Sequence, residues 1–165
     1  MPPSTDTFRT LAGYNRVANA RLYEQVGKLD VAEYRRERKG SFGSIHGLLN
    51  HLLLGDRIWM SRFEGGGKTT PPLNTILFET FPELSVARSE EDARIEAFFQ
   101  NMDSDFLSRP LTYTNSLGKE VSFVAGIAVL HLLNHQTHHR GQVHVMLSDA
   151  GVAPPSLDLI RILNT

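Results

Sequence analysis

Cysteine is absent from the sequence, which excludes disulfide bonds, thiolate metal ligands, iron–sulfur clusters and a cysteine nucleophile. A surplus of charge is also missing, because 17 Lys and Arg residues against 18 Asp and Glu residues leave a formal net charge of -1. Nonspecific nucleic-acid binding needs a surplus of cations, so nucleic acid is not an expected partner. No window holds the roughly 18 apolar residues of a membrane span, and no apolar run follows a basic start. We therefore expect neither export nor membrane insertion, and a cytoplasmic location.

The length and composition favour a folded chain with one hydrophobic core. Of the 165 residues, 41% are hydrophobic and 21% are charged, close to the average of soluble globular proteins. This composition argues against intrinsic disorder, and the length is too short to favour two domains. We expect a single domain over residues 1–165.

Apolar residues recur every three or four positions in four long segments, which predicts four long helices. Their predicted ranges are approximately 6–28, 44–62, 89–107 and 123–149, with Asp6, Ser44 and Ser89 as candidate N-caps. The connection at 65–88 contains three prolines and predicts little regular structure, while 111–123 predicts a small hairpin before the fourth helix. Four long helices with one crossover-length link predict an all-α four-helix bundle.

Histidine is the unusual residue type, since four of the seven histidines lie between positions 131 and 139. His135 and His139 are one helical turn apart, so both imidazoles can bind one ion. Two nitrogens do not complete a site, and we expect a third ligand from the second helix. His51 is the better candidate because it lies mid-helix beside the apolar face, whereas His46 lies in the first turn, where solvent reaches it.

Several assignments stay open around this pattern. His131 and His138 are alternative ligands or neighbours of the ligands, and spacing assigns no role to His144. Gln142 and Asn134 are candidates to orient the ligands or a substrate.

Two further predictions concern a pair of charged residues and a pair of aromatic residues. Asp56 and Arg140 are candidates for an ion pair between the second and fourth helices, with a location at the solvated rim as an equal alternative. Trp59 and Tyr113 are candidates to line a pocket, but large aromatic residues at bundle spacing are usually core, so we do not assign them to the site.

Three blocks of sequence resemble the DinB/YfiT-like family of metalloenzymes. The blocks are Y-N-R-x-A-N-x-R-L at 14–22, N-H-L-L-L-G-D-R-I-W at 50–59 and N-H-Q-T-H-H-R-G-Q at 134–142. The resemblance implies an up-down-down-up four-helix bundle, a homodimer, and a divalent ion bound by one His of the second helix and two of the fourth. On this sequence the implied ligands are His51, His135 and His139, the residues that the spacing also favours.

The family resemblance implies a class of chemistry more firmly than a reaction. Characterised members include transferases and isomerases that act with low-molecular-weight thiols, and many members have no assigned reaction. We expect a metal-dependent enzyme of thiol-transferase, hydrolase or isomerase type, with a small-molecule substrate and one Zn²⁺ or Ni²⁺ ion per chain. The alternative is a noncatalytic bundle with a structural ion or no ion. A structural site needs four protein ligands, whereas a catalytic site leaves a position open.

Overall fold

The computed structural model describes residues 4–67 and 70–164 and is mainly helical. The helices are α1 (Thr5–Val26), α2 (Val31–Arg35), α3 (Ile45–Phe63), α4 (Phe81–Asn101), α5 (Ala125–Asp149) and α6 (Leu159–Leu163), with a 3-10 turn at Phe106–Ser108. Strands β1 (Pro110–Thr114) and β2 (Glu120–Val124) form the predicted antiparallel hairpin. Within the described ranges, no helix is long and apolar enough to cross a membrane.

Contacts at the two ends of α1 and α4 show that these helices are antiparallel. Phe8, near the start of α1, stacks on Phe99, near the end of α4. Tyr23, near the end of α1, packs on Phe81, the first residue of α4. Helix α1 therefore runs up the bundle and α4 runs down.

Helices α3 and α4 run in the same direction. Asp56 in the middle of α3 binds Arg88 in the first half of α4, and Phe63 at the end of α3 stacks on Phe98 near the end of α4. The connection at 64–80 must therefore return along the bundle before α4 begins, as a parallel pair requires.

Helix α5 is antiparallel to α3, which completes the predicted up-down-down-up order. His51 in the first half of α3 contacts His139, and Trp59 near the end of α3 contacts His131, which precedes His139 along α5. The four-helix bundle implied by the family resemblance is therefore confirmed.

The predicted start of the third long helix at Ser89 is wrong, because α4 begins at Phe81. Thr80 is its N-cap, and Pro82 lies in the first turn. A proline in the first turn removes no intrahelical hydrogen bond, so Pro82 begins this helix rather than excluding it. The long connection accordingly covers 64–80 instead of 65–88.

Other helix ends differ less from the prediction. Helix α4 ends at Asn101 rather than near 107, because Met102 has an extended backbone. Ser4 rather than Asp6 caps α1, and Ser44 caps α3 as predicted. Helix α5 begins two positions after the predicted 123, since residues 123 and 124 pair in the hairpin.

Apolar side chains fill the bundle in two clusters. The cluster at one end includes Leu22, Leu49, Leu84 and Leu147. The cluster at the other end includes Phe8, Met60, Phe99 and Leu132. Each cluster draws one or more residues from all four long helices, so burial of apolar surface holds the bundle together at both ends.

A network of buried polar side chains joins all four long helices midway along the bundle. Each member is at most 3% exposed, and the members are Asn15, Asn19, Asp56, Arg88, Asp92, Gln136 and Arg140. Arg88 lies 2.6 Å from Asp56 and 2.9 Å from Asp92, and Gln136 donates a hydrogen bond to Asp56. Buried charges are tolerated when they are paired in this way.

The predicted ion pair between Asp56 and Arg140 is therefore wrong. Arg140 donates hydrogen bonds to the amide oxygens of Asn15 and Asn19, whose amide nitrogens donate to Asp92. Both predicted partners are buried, so the alternative of a solvated rim is wrong as well.

We expect Asp56→Asn to lower the free energy of unfolding by about 3 kcal/mol, because it removes one partner of a buried ion pair and leaves Arg88 without its nearest carboxylate. The matched control is Asp158→Asn, which removes an exposed carboxylate paired with Arg161 and should change stability by less than about 0.5 kcal/mol. Urea unfolding followed by circular dichroism measures both. Equal, small losses would contradict a structural role for the network.

Candidate metal centre

The structure brings together the three histidines that the sequence nominates as ligands. His51 projects from α3, and His135 and His139 project from α5, with one ring nitrogen of each lying within 4.8 Å of the others. Nε2 of His51 lies 3.0 Å from Nε2 of His135. Two nitrogens about 2.05 Å from a shared ion, at about 90–110° to each other, are separated by about 2.9–3.4 Å. The observed separation fits this arrangement.

Two of the imidazoles are oriented by hydrogen bonds typical of metal ligands. Nδ1–H of His51 donates to the carbonyl oxygen of Leu73 at 2.9 Å, and Nδ1–H of His139 donates to Oε1 of Gln142 at 2.6 Å. Both acceptors are oxygens that cannot donate, so the proton lies on Nδ1 and the lone pair on Nε2. This pattern favours binding of a divalent ion. Gln142 thus occupies the orienting position predicted for it, whereas Nδ1 of His135 is buried without a partner.

Burial keeps the three imidazoles neutral. It lowers the pKa of His51 and of His139, and it lowers the pKa of His135 to about 3, with the neighbouring imidazoles of His139 and His51 adding to the effect. Only the neutral imidazole offers a lone pair to a metal. At neutral pH each of the three imidazoles therefore has a lone pair available to bind a divalent ion.

Gly55 leaves space for the ring of His135. A Cβ atom at position 55 would lie 3.1 Å from Cε1 of His135, closer than ordinary van der Waals contact. Gly55 lies one helical turn after His51, so the two residues share the face of α3 that meets α5.

Phe42 packs against two of the three histidines. Its ring stacks on His51 with the centroids 3.7 Å apart and meets the edge of His139. Phe42 has a φ of 67°, which costs a bulky residue about 1–3 kcal/mol. A Cβ atom at Gly47 would lie 2.2 Å from the carbonyl oxygen of Phe42, so this glycine permits the turn to approach α3.

His46 and Asn50 attach the 64–80 connection to α3. Nε2–H of His46 donates to the carbonyl oxygen of Phe78 at 3.0 Å, and Oδ1 of Asn50 accepts from the backbone N–H groups of Leu77 and Phe78. The expectation that solvent reaches His46 is wrong, because its side chain is buried under this connection. The same segment carries Leu73, which orients His51.

The remaining candidates from the sequence lie outside the cluster. Asn134 is exposed and makes no hydrogen bond to the three histidines. His138 is exposed, with Nε2 3.4 Å from the amide nitrogen of Gln142, and His144 binds a backbone carbonyl near the C-terminal end. His131 stacks on His135 at a centroid distance of 5.8 Å without joining the group of ligand atoms.

A cavity of about 190 Å³ opens beside the cluster, between α3, α5, the hairpin and the 64–80 connection. His51 and His135 line it together with Trp59, Arg62 and Tyr113. Trp59 and Tyr113 therefore line the cavity, which is the alternative that the sequence left open, and Trp59 also packs against one of the two apolar clusters. A larger cavity of about 550 Å³ lies between α1 and α4, but none of the three histidines lines it.

Arg62 is a charged residue of the cavity wall that the sequence interpretation missed. It lies about three helical turns after His51 and therefore on the same face of α3. That spacing, together with a charged residue on an otherwise apolar face, is the signal that identifies it.

Sequence comparisons find related proteins over most of the chain. The whole chain, residues 1–165, matches the family model described as the DinB family. "Protein DinB" of Bacillus subtilis (strain 168) is 29% identical over 154 residues, which cover 88% of this chain and 87% of that protein.

Solved structures show the same fold at low sequence identity. A DinB-like protein from Bacillus cereus ATCC 10987 superposes with a TM-score of 0.71 at 16% identity, covering 94% of this chain and 99% of that one. YfiT from Bacillus subtilis, described as "a probable metal-dependent hydrolase with an unusual four-helix bundle topology", superposes with a TM-score of 0.68 at 13% identity, covering 90% of each chain.

We expect Gly55→Ala to weaken divalent-metal affinity by about 10-fold, a loss typical when the surroundings of a ligand are altered, because the new methyl group displaces the His135 ring. The matched control is Gly141→Ala on α5, where a Cβ atom meets nothing within 4 Å. Competition against a chromophoric chelator measures both affinities. Unchanged affinity in Gly55→Ala would show that the ring position does not depend on this glycine.

The lowered pKa of His135 predicts a pH-dependent stability of the metal-free protein. In the unfolded chain this imidazole has a pKa near 6.5 and gains a proton between pH 7 and 5, while in the folded chain it stays neutral. Protons therefore favour unfolding, and wild type should lose about 1–2 kcal/mol relative to His135→Gln over this interval. Urea unfolding at both pH values tests this, and a difference that is constant with pH would contradict it.

Proposed function

The chain belongs to the DinB family, and from that premise we propose that it is a divalent-metal-dependent enzyme that acts on a small molecule. The observation that carries the proposal is the cluster of His51, His135 and His139 at the wall of an open cavity. Catalytic metal sites typically have three protein ligands, such as neutral imidazoles, and leave one coordination position open to water or substrate.

The number of protein ligands favours catalysis over a structural role. Structural zinc sites are closed by four protein ligands. Over residues 4–67 and 70–164, no fourth His or carboxylate joins the cluster, and both His131 and His138 lie outside it. A noncatalytic bundle with a structural ion, or with none, is the alternative that the experiment below tests.

The ion and the protein have separate parts in the proposed chemistry. A divalent ion at the cluster would supply Lewis acidity and lower the pKa of a water or thiol nucleophile. Leu73 and Gln142 orient the imidazoles of His51 and His139 through hydrogen bonds, and Phe42 excludes water from one side of the cluster.

His131 is our candidate for moving a proton during the reaction. Burial and the nearby Arg62 guanidinium lower its pKa, so the imidazole is neutral and able to accept a proton. It lines the cavity beside His135 and is therefore within the space that a substrate would fill.

Two nucleophiles are candidates for the proposed reaction. The description of YfiT as a metal-dependent hydrolase supports water as the nucleophile, while the family resemblance supports a low-molecular-weight thiol. We propose Zn²⁺ or Ni²⁺ as the ion. A cytoplasmic location and a homodimer stay predictions.

The experiment compares tag-free wild type with His135→Ala, and uses His144→Ala as the matched control from the same helix. We expect about one divalent ion per chain in wild type and in the control, and loss of the ion in His135→Ala. Elemental analysis measures the ion, and a screen of metal-loaded protein with small thiols and electrophilic acceptors measures activity.

Two results would contradict the proposal. The first is an equal metal content in wild type and His135→Ala, which would remove the assigned ligands. The second is a cobalt-substituted protein with a saturated four-coordinate spectrum that added thiol does not change, which would favour a structural ion.

A further inference from the structure

Arg62 is a buried cation with few polar partners. Its side chain is 7% exposed, and among the described residues it makes one hydrogen bond, from Nη2 to the hydroxyl of Thr70 at 2.6 Å. That hydroxyl donates in turn to the carbonyl oxygen of Thr114. Nε is buried without an acceptor, and among the described residues no acceptor pairs with the donors of Nη1.

Aromatic rings contact the face of the guanidinium, but no carboxylate within residues 4–67 and 70–164 forms an ion pair with it. Cζ lies 3.8 Å from the ring centroid of Tyr113 and 4.7 Å from that of Trp59. Burial lowers the pKa of Arg62, as expected where no carboxylate is near. The aromatic rings interact with the face of the guanidinium. Its N–H groups lie in the guanidinium plane, so the rings do not serve as their hydrogen-bond acceptors.

The other deeply buried arginines have more polar partners than Arg62. Arg88 and Arg38 each form ion pairs with two carboxylates. Arg140 donates to three side-chain amide oxygens. An arginine placed only to stabilise the bundle would be paired as these are, because an unpaired buried charge is costly.

The position of Arg62 relates it to the candidate metal centre. The cavity of about 190 Å³ has His51 and His135 in its lining together with Arg62. Among the described lining residues none is acidic, and Arg62 is the one Lys or Arg. A ligand in the cavity therefore meets the Arg62 guanidinium beside the imidazoles.

We propose that Arg62 binds a carboxylate group of the substrate while the reacting group of the same molecule lies against His51 and His135. This inference rests on the proposed function, since it names the class of substrate for that site. A planar guanidinium binds a carboxylate through two parallel hydrogen bonds, and a single cation matches the single charge of a carboxylate. The cavity is smaller than the roughly 300–1,000 Å³ of drug-sized sites, so the substrate, or the part of it bound here, is small.

Trp59 provides a direct readout of binding at Arg62. It is the only tryptophan in the sequence, and its ring contacts both Arg62 and Tyr113. The first measurement titrates metal-free protein with propionate and with neutral propionamide at constant ionic strength, following tryptophan fluorescence. The second titrates zinc-loaded protein with 3-mercaptopropionate and 3-mercaptopropionamide.

We expect each carboxylate to bind at least 10-fold more tightly than its amide. Arg62→Gln should remove that preference, and Arg57→Gln, which changes a partly exposed arginine on the same helix, should retain it. Metal content should be unchanged in both variants. If Arg62→Gln does not fold, Arg62→Lys decides, because it keeps the charge without the planar pair of donors and should lose about 3-fold or more in carboxylate affinity.

The outcomes separate this inference from the proposed function. Equal binding of acid and amide, an unsaturable response to propionate, or unchanged carboxylate affinity in Arg62→Lys would overturn the carboxylate site, even where the protein binds metal normally. A carboxylate preference that depends on Arg62 in a protein that binds no metal would support the site and overturn the metal-dependent function.

Discussion

The paired charges of Asp56 and Arg88 are the constraint on which the rest of the structure depends. An unpaired charge in the middle of an apolar bundle is strongly destabilising, so α3 and α4 can pack only in the register that brings these two side chains together. Helix α3 also carries His51, Gly55 and Arg62 on the face that meets α5. The ion pair therefore positions the candidate site without belonging to it.

The polar residues of the bundle divide into two sets with different roles. One set joins the helices through ion pairs and hydrogen bonds in the interior, and five of its members, Asn15, Asn19, Asp56, Gln136 and Arg140, lie in the three family-like blocks. The other set faces the cavity with unpaired lone pairs or donors, as His135 and Arg62 do. The 64–80 connection is held against α3 by His46 and Asn50, and it supplies the carbonyl that orients His51.

Local pattern predicted most of the helices and the three histidines, and it failed where a residue had two possible roles. Pro82 was interpreted as a helix breaker, although the first turn of a helix accepts proline. The sequence offers Asp56 and Arg140 as either an ion pair or solvated rim residues, yet each has buried partners on helices that the sequence does not place in contact. Trp59 and Tyr113 have the spacing of core residues, and only the position of the hairpin makes them cavity walls.

The sequence by itself determined the helical segments and the spacing that places His135 and His139 on one face, because both depend on periodicity along one stretch of chain. Its resemblance to the family rests instead on the residues of three separate blocks. Tertiary structure alone decided that Nε2 of His51 lies 3.0 Å from Nε2 of His135, that Arg62 has no carboxylate partner among the described residues, and that one cavity is lined by all three side chains. These facts depend on the register between helices far apart in the sequence. That register is set by side-chain packing and buried charge pairing, which no local pattern records.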